Sequence, residues 1–519
     1  MKKTMIYFSA LTLLLTSCKK SKLDPLDHVS HEANIARVDI DNFIKQEIIT
    51  YHKFEWNRAS VSMINSALNY SDHILSVGYT ISSINDIEKN ISSININDAD
   101  WQEARQQVIN LILQSEQQIN KNLTISDMMP WEEKVLPVID VIVKNPGTIK
   151  LLLNSKLVRY AEPLGYEPED VSIAFQRENM PDNAGSSGCG GNTPTLGLVQ
   201  NVDYTNLLPS SKQSWNYTYH NIPKAWAKST GAGTKIFVID TGCEFDQENL
   251  GSAFNQGSST GRTIQKIVTL PRETFLGINI GPIETADDAC GHGTAMAGAC
   301  GAPRGTDGNA CGVAYNCNLV TCRGAADVYL DESREAKGVA DAFTNAGNRA
   351  DVKIISMSMG RITTSSQIRD AVLYAYGKGK LIFCAAGTSF GWTSGWAGVI
   401  FPASMSQVNA VTGVRDNSST TTCSDCHNGS ETDFTIVMER FSDYRKPLTL
   451  AMSGDVPSTI GGSSVATATA AGIAALVCSK YPTLTRDQIL NKLIQTSANY
   501  PTRNASLGWG NLNADAATN

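Results

Sequence analysis

The chain has 519 residues, of which 42% are apolar and 18% charged, and its formal net charge is −7. That length exceeds what one hydrophobic core serves and calls for two or more domains. The mildly acidic balance leaves no basic stripe for nucleic acid, which is excluded as a partner.

In chain order, Met1-Lys2-Lys3-Thr4 is a basic start, and the apolar run from Met5 to Leu15 that follows is too short to span a bilayer. With Leu15-Thr16-Ser17 ahead of Cys18, residues 1–17 have the layout of a bacterial secretory signal cut before a cysteine that takes a lipid. Lys19 and Lys20 stand where an acidic residue would favour the inner membrane. The expected location is therefore that of an exported lipoprotein at the outer membrane, on its periplasmic or surface face. Residues 18–70 read as lipid anchor and polar tether. From 71 to 166 the pattern is that of a small α+β domain: strands at His73–Tyr79, Val135–Val143 and Leu157–Pro163, with helices at Trp101–Gln118 and Pro146–Asn154. Residues 167–206 are rich in Pro, Gly, Ser and Asn, as an exposed linker is, and hold an isolated Cys189.

From 207 onward strands alternate with small-residue helices. Lys235-Ile236-Phe237-Val238-Ile239 is a β-branched apolar run, the mark of a buried parallel strand, and it delivers Asp240 at its C-terminal end. Gly291-His292-Gly293-Thr294 opens a helix of small residues running to Ala299. Gly462-Ser463-Ser464 opens a long Ala-rich helix, Val465 to Leu476, that belongs in a core. An Asp, a His and a Ser are the parts of a nucleophilic triad. The Ser hydroxyl needs a His to take its proton, and the His needs a carboxylate to hold its tautomer and stabilise its charged form. In this order and with these flanks, the motifs resemble those of the subtilisin-like serine proteases, the subtilases. The resemblance runs from about Ser214 to Gly510.

It implies a doubly wound, mostly parallel α/β domain over 207–519 and a serine endopeptidase that works through an acyl-enzyme. Asp240 would orient His292, His292 would shuttle the proton and Ser464 would attack, with Ser463 a structural neighbour. Ser358, Met359 and Gly360 would form an edge that pairs with an extended peptide. Ala385, Ala386 and Gly387 would line the specificity pocket, and Ile400, near its floor, points to small first-site residues. Thr388 stands where the family carries Asn as an oxyanion donor, so the hole is expected to rest on the Ser464 N–H with Thr388 as a second, shorter-armed donor. Ala468 for Pro and Ser463 for Thr are packing changes. The 71–166 domain, which ends Val158-Arg159-Tyr160-Ala161-Glu162-Pro163, is similar to subtilase propeptides, which cover a slow-folding parallel sheet and then occupy the active site. A cut within 167–206 is then expected. The chemistry calls for no cofactor. A structural calcium, common in the family, would draw on Asn249, Asp307 or Asn309, which by themselves identify no site. The partners implied are a protein or peptide substrate, the chain's own propeptide and a membrane reached through Cys18. A second reading keeps the same groove as that of a peptide-binding lipoprotein without turnover.

Twelve cysteines remain to be placed. The ten from Cys243 to Cys478 are an even set, for which oxidised pairing is expected in an exported domain. Cys384 and Cys478 lie in apolar runs and read equally as buried thiols. Cys423-Ser424-Asp425-Cys426-His427 has the spacing of a haem-attachment site, but it sits in a polar loop and reads better as a local disulfide or as two bridges that pin the loop.

Overall fold

The four-residue spacing of Ile40, Ile44 and Ile48 puts one apolar stripe on a helix, α1 (Arg37–Tyr51), and that stripe is buried. A second helix, α2 (Val61–Asn69), starts at Ser60, whose hydroxyl accepts from the Met63 N–H at 3.1 Å. The expected tether over 18–70 is thus corrected from residue 34 on: these helices join a core with Leu75, Val77, Ile139 and Ala161. The structure, a computed structural model, describes residues 34–169, 189–190, 192–275, 278–388 and 396–519. The expected signal peptide, Cys18 and much of the linker fall outside those residues. Residues 34–519 pack as one compact unit.

The N-terminal α+β domain follows its expected order: β1 (Ile74–Tyr79), α3 (Ala99–Glu116), β2 (Val138–Ile142), α4 (Pro146–Leu153) and β3 (Val158–Pro163). The strands form an antiparallel sheet, β2-β1-β3. Its inner face packs on the helices. Its outer face carries a polar row, because the register sets Ser76 opposite Asp140 on one side and Glu162 on the other.

The larger sheet is built on β4 (Lys235–Asp240), β5 (Ile264–Val268), β6 (Asn318–Arg323), β7 (Ile354–Met357), β8 (Leu381–Ala385), β9 (Asn409–Arg415), β10 (Ser418–Thr422) and β11 (Thr432–Glu439). Its order is β10-β9-β8-β7-β4-β6-β5, with β11 also paired to β9. The β5, β6, β4, β7, β8 and β9 strands run parallel. Alternation splits the strand residues between two cores. Ile236, Val238, Ile354 and Phe383 face α5 (His292–Gly301) and α8 (Gly462–Lys480). Phe237, Ile239, Ile355 and Cys384 face α6 (Ser333–Asn348) and α7 (Ser366–Gly377). Among the described residues α8 is the one helix long and apolar enough to cross a membrane, and it is buried in the core. The chain passes from β4 to one side of the sheet and then to β7 on the other, so the strand order switches at β4/β7. That is where a parallel sheet opens a crevice at its carboxyl ends.

The N-terminal sheet docks through its polar row onto the start of α7. Ser76 Oγ donates to Gln367 Oε1 at 3.0 Å, Gln367 Nε2 donates to Asp140 Oδ2 at 3.0 Å, and Glu162 accepts from the Ser366 N–H at 2.6 Å. Arg159 pairs with Asp370 at 2.6 Å, and Lys337 with Glu133 at 3.2 Å. Burial pushes the Asp140 carboxyl up from 3.8 to about 7 and Glu162 from 4.5 to about 6, against the pull of the nearby Lys337 and Arg369. Docked pKa values above the free ones mean that docking takes up protons. Its contribution is complete below the free values and is lost as pH rises through about 6 and about 7. Thermal unfolding of the full chain should therefore move down by several degrees between pH 5 and pH 8. Asp140→Asn should flatten that slope, as melting curves across the range would show.

The cysteine pairing is corrected. Cys189 bridges Cys290 across 101 residues, so the linker cysteine is not isolated, and the ten downstream are not an even set. Cys423 bridges Cys426, the local of the two pairings expected for that loop. Cys243, Cys300, Cys311, Cys317, Cys322, Cys384 and Cys478 are buried free thiols spread over both cores. Pairing needs facing partners, and here the thiols serve as small apolar side chains.

Candidate functional site

Asp240 sits at the carboxyl end of β4, beside the strand switch. Gly242, two residues on, has φ +126°, and a Cβ there would stand 2.5 Å from the Asp287 carbonyl. A Cβ on Gly293 would stand 2.3 Å from the Gly242 carbonyl. Glycine at both positions lets the strand end and the start of α5 press together, which brings His292 over Asp240. Its Nδ1 lies 2.7 Å from Asp240 Oδ1, and both side chains are buried. The Thr241 N–H donates to the same Oδ1 at 2.9 Å.

Asp288, which the motif reading passed over, holds this junction. Its carboxylate accepts from the Gly291 N–H at 2.9 Å, the Thr294 N–H at 2.7 Å, and the hydroxyls of Thr294 at 2.7 Å and Thr241 at 2.8 Å. It closes the open N–H groups of the α5 start, where negative charge is favoured. The signal was present as an Asp ahead of a Gly-flanked helix start, a capping pattern rather than a chemical one. Burial pulls the His292 pKa down. The Asp240 charge and hydrogen bond, helped by Asp288 and Asp327, outweigh that and hold the imidazole above its ordinary value.

Ser463 and Ser464 lie in the first turn of α8. Ser463 is fully buried, and its hydroxyl lies 3.2 Å from that of Thr388. Ser464 is half-buried and opens onto a cleft. Its Oγ donates to the Ser358 carbonyl at 3.4 Å, and Ser358 Oγ donates back to the Ser464 carbonyl at 2.9 Å. The cleft has a volume of about 740 Å³, within the range of a built ligand site. It is lined by His292, Ser358, Met359, Ala385, Gly387 and Thr388, among others.

Two of the expected binding residues stand differently. Ala386 points into the core, its N–H donating to Val411 and its carbonyl accepting from Ile400, each at 2.9 Å. Extended backbone alternates, so Ala385 and Gly387 face the cleft and Ala386 cannot. Gly360 lines the cleft, but its N–H donates to the Val328 carbonyl at 3.1 Å and its carbonyl accepts from Leu330 at 3.0 Å. Those backbone groups are already paired within the chain. Ile400 fills the space between the two walls: a Cβ on Gly360 would meet its Cδ1 at 2.6 Å, and one on Gly387 its Cγ1 at 3.2 Å.

Asn249 and Asp307 lie together, but the amide nitrogen of Gln256 sits between their oxygens, 2.6 Å from Asp307 Oδ2. Asn309 is drawn away to the Gly454 carbonyl at 3.0 Å. A donor at the centre does not fit calcium, which needs six or more converging oxygens. Among the described residues no group of three or more His, Cys, Asp or Glu is placed to hold a metal.

The family described as the subtilase family, peptidase S8, matches residues 231–510. Subtilisin DY of Bacillus licheniformis is 28% identical over 295 residues, spanning 55% of this chain and 91% of the relative. Alkaline elastase YaB of Bacillus sp. (strain YaB) is 31% identical over 314 residues, spanning 59% of this chain and 70% of the relative. Among solved structures, MycP1 from the ESX-1 type VII secretion system aligns at 20% identity with a TM-score of 0.46, covering 63% of this chain and 91% of that one.

Proposed function

Because the chain belongs to the subtilase family of serine endopeptidases, we propose that Ser464 is its nucleophile, His292 its general base and Asp240 the carboxylate that orients His292. The observation that carries this is the buried His292–Asp240 pair at 2.7 Å in the same cleft that Ser464 opens onto. Asp240 fixes the proton on Nδ1, which leaves Nε2 to take the Ser464 proton as Oγ attacks the scissile carbonyl. Catalytic hydrogen bonds are often loose before substrate binds, so on this reading Ser464 Oγ leaves the Ser358 carbonyl, 3.4 Å away, for the imidazole as substrate enters. His292 then gives the proton to the leaving amine, and water resolves the acyl-enzyme by the reverse path. A fluorophosphonate probe tests the assignment: it should label the folded chain once, at Ser464. An unlabelled, folded chain would leave the groove as a peptide-binding site.

The Ser464 N–H, at the positive end of the 19-residue α8, is one oxyanion donor. Thr388 is the second. Its hydroxyl reaches the Ser463 hydroxyl at 3.2 Å and so stands at the mouth of the same helix turn. Thr388→Asn should raise turnover about 10-fold with little change in KM, because a donor to the oxyanion acts only near the tetrahedral stage. Thr388→Val should lower it. Equal rates for Thr, Val and Asn in peptide hydrolysis would remove Thr388 from the hole.

The N-terminal domain we read as a propeptide, now including α1 and α2, with cleavage in the linker after residue 169. It docks through the polar row and through Ile74, Leu136, Val138, Ile142 and Leu164, which join the core under α6 and α7, a fit that suits a domain over which the larger sheet assembles. We also read the chain as exported and lipid-anchored at Cys18, on the strength of the apolar run and the residues before that cysteine. Mass analysis of the membrane-associated form for a diacylglyceryl group on Cys18 tests this.

A further inference from the structure

The described part of the linker does not lie idle on the surface. Cys189 is bridged to Cys290, two residues before His292, and Gly190, Asn192, Thr193 and Thr195 line the cleft onto which Ser464 opens. Asn192 is buried, and its Nδ2 donates to the carbonyls of Gly291 at 3.1 Å and Leu450 at 2.9 Å. The Asn192 carbonyl accepts from Met452 at 3.0 Å. The Thr195 N–H donates to Pro457 at 2.9 Å, and its hydroxyl accepts from the Thr459 N–H at 3.1 Å. These contacts fall on Gly291, just before His292, and on the 450–459 stretch that leads toward Ser464. The segment lies outside residues 231–510, the part that matches the family.

A scissile peptide held at Ser464 has two halves. Its acyl half lies toward Ser358, and its leaving half lies toward the group that protonates the departing amine, which is His292. Cys189 and Asn192 are tied to Cys290 and Gly291, beside His292, and Thr195 carries the same segment along the cleft to Thr459. We propose that Cys189, Asn192, Thr193 and Thr195 form a built-in wall of the leaving-group half of the cleft, fixed by the Cys189–Cys290 bridge, that selects small residues after the scissile bond. The inference rests on the assignment of Ser464 and His292 given above. It also makes this stretch of linker a permanent part of the mature enzyme. A cut upstream of Cys189 leaves the wall in place.

The test uses the full chain with rates taken per probe-labelled Ser464, so that misfolded protein does not count. Two internally quenched peptides share one acyl sequence and differ only in the second residue after the scissile bond, Ala in one and Trp in the other. A nitroanilide of the same acyl sequence has no peptide on that side. In the double variant Cys189→Ser, Cys290→Ser, the Trp-to-Ala ratio of kcat/KM should rise at least ~10-fold, about 1.4 kcal/mol of selectivity. The nitroanilide should change by a smaller factor than the Trp peptide. Thr195→Val, which loses the hold on Thr459 but keeps the bridge, should move the ratio the same way by about 3-fold, and it serves if the double variant does not fold. An unchanged ratio in both variants, or an equal change on all three substrates, overturns the wall and leaves the bridge a structural tie. A parent chain that cleaves none of the substrates and takes no label overturns the Ser464 assignment, and the wall with it.

Discussion

Ser464→Ala should lower peptide hydrolysis by about 10⁶-fold, the size of loss that removing the nucleophile causes in subtilisin. On the proposed assignment the alanine lacks the oxygen that attacks the scissile carbon, and Ser463 does not replace it, since it is fully buried and its hydroxyl lies 3.2 Å from that of Thr388. The fold should be unaffected, because the Ser464 hydroxyl makes one contact, at 3.4 Å, to the carbonyl of Ser358, which lines the cleft. Probe labelling should vanish with activity. The full-length form should persist in the variant while the parent chain is cut after residue 169. Intact-mass measurement of both proteins reads processing and assay reads turnover. A folded, pure variant that still hydrolyses peptides would return the search for a nucleophile to its start.

Asp240→Asn should cost about 10⁴-fold in turnover while KM stays within a few fold. The amide keeps the shape of the carboxylate, but it presents a donor to His292 Nδ1 and so favours the tautomer whose Nε2 carries a proton and cannot act as a base. A second effect is separable from the first. The acid limb of kcat/KM in the parent should fall above the ordinary imidazole range, because the carboxylate charge outweighs burial at His292. With that charge gone, burial dominates and the limb should move to lower pH. A lower rate with an unmoved limb would mean that Asp240 acts through position alone.

Much of the fold was legible because its carriers are local. The β-branched runs at Lys235–Ile239 and Leu381–Ala385 and the small-residue helix starts depend on neighbours in sequence, and each formed where expected. The places of Asp240, His292 and Ser464 were legible because one strand end and two helix starts deliver them. The misreadings concern relations that a linear pattern does not hold. A stripe of three isoleucines was outweighed by its polar neighbours, so α1 was read as tether. Ala386 was assigned to the cleft with its neighbours, although alternation sends it to the core. Gly360 lines the cleft, but its backbone is taken up by a bridge to Tyr329, in a loop that precedes α6. The Cys189–Cys290 bridge joins residues whose proximity only the fold creates. Asp288 was passed over because its role is to cap a helix, which asks only for a carboxylate at one position.

The seven buried thiols set a constraint on how this molecule comes to exist. Disulfide exchange runs through the thiolate, and burial pushes Cys243, Cys311 and Cys322 up to about 12 and Cys317 and Cys478 up to about 11. At pH 8 a thiol of pKa 12 is ionised about once in 10⁴, which silences it as an attacking group. Before the two cores close, the same sulfurs ionise freely and compete for Cys189 and Cys290. In an oxidising milieu, maturation is then a race between packing and mispairing. A helper that held the sheet together early would decide it, because each strand that docks takes a competitor out of the exchange before the bridge beside His292 must choose its partner.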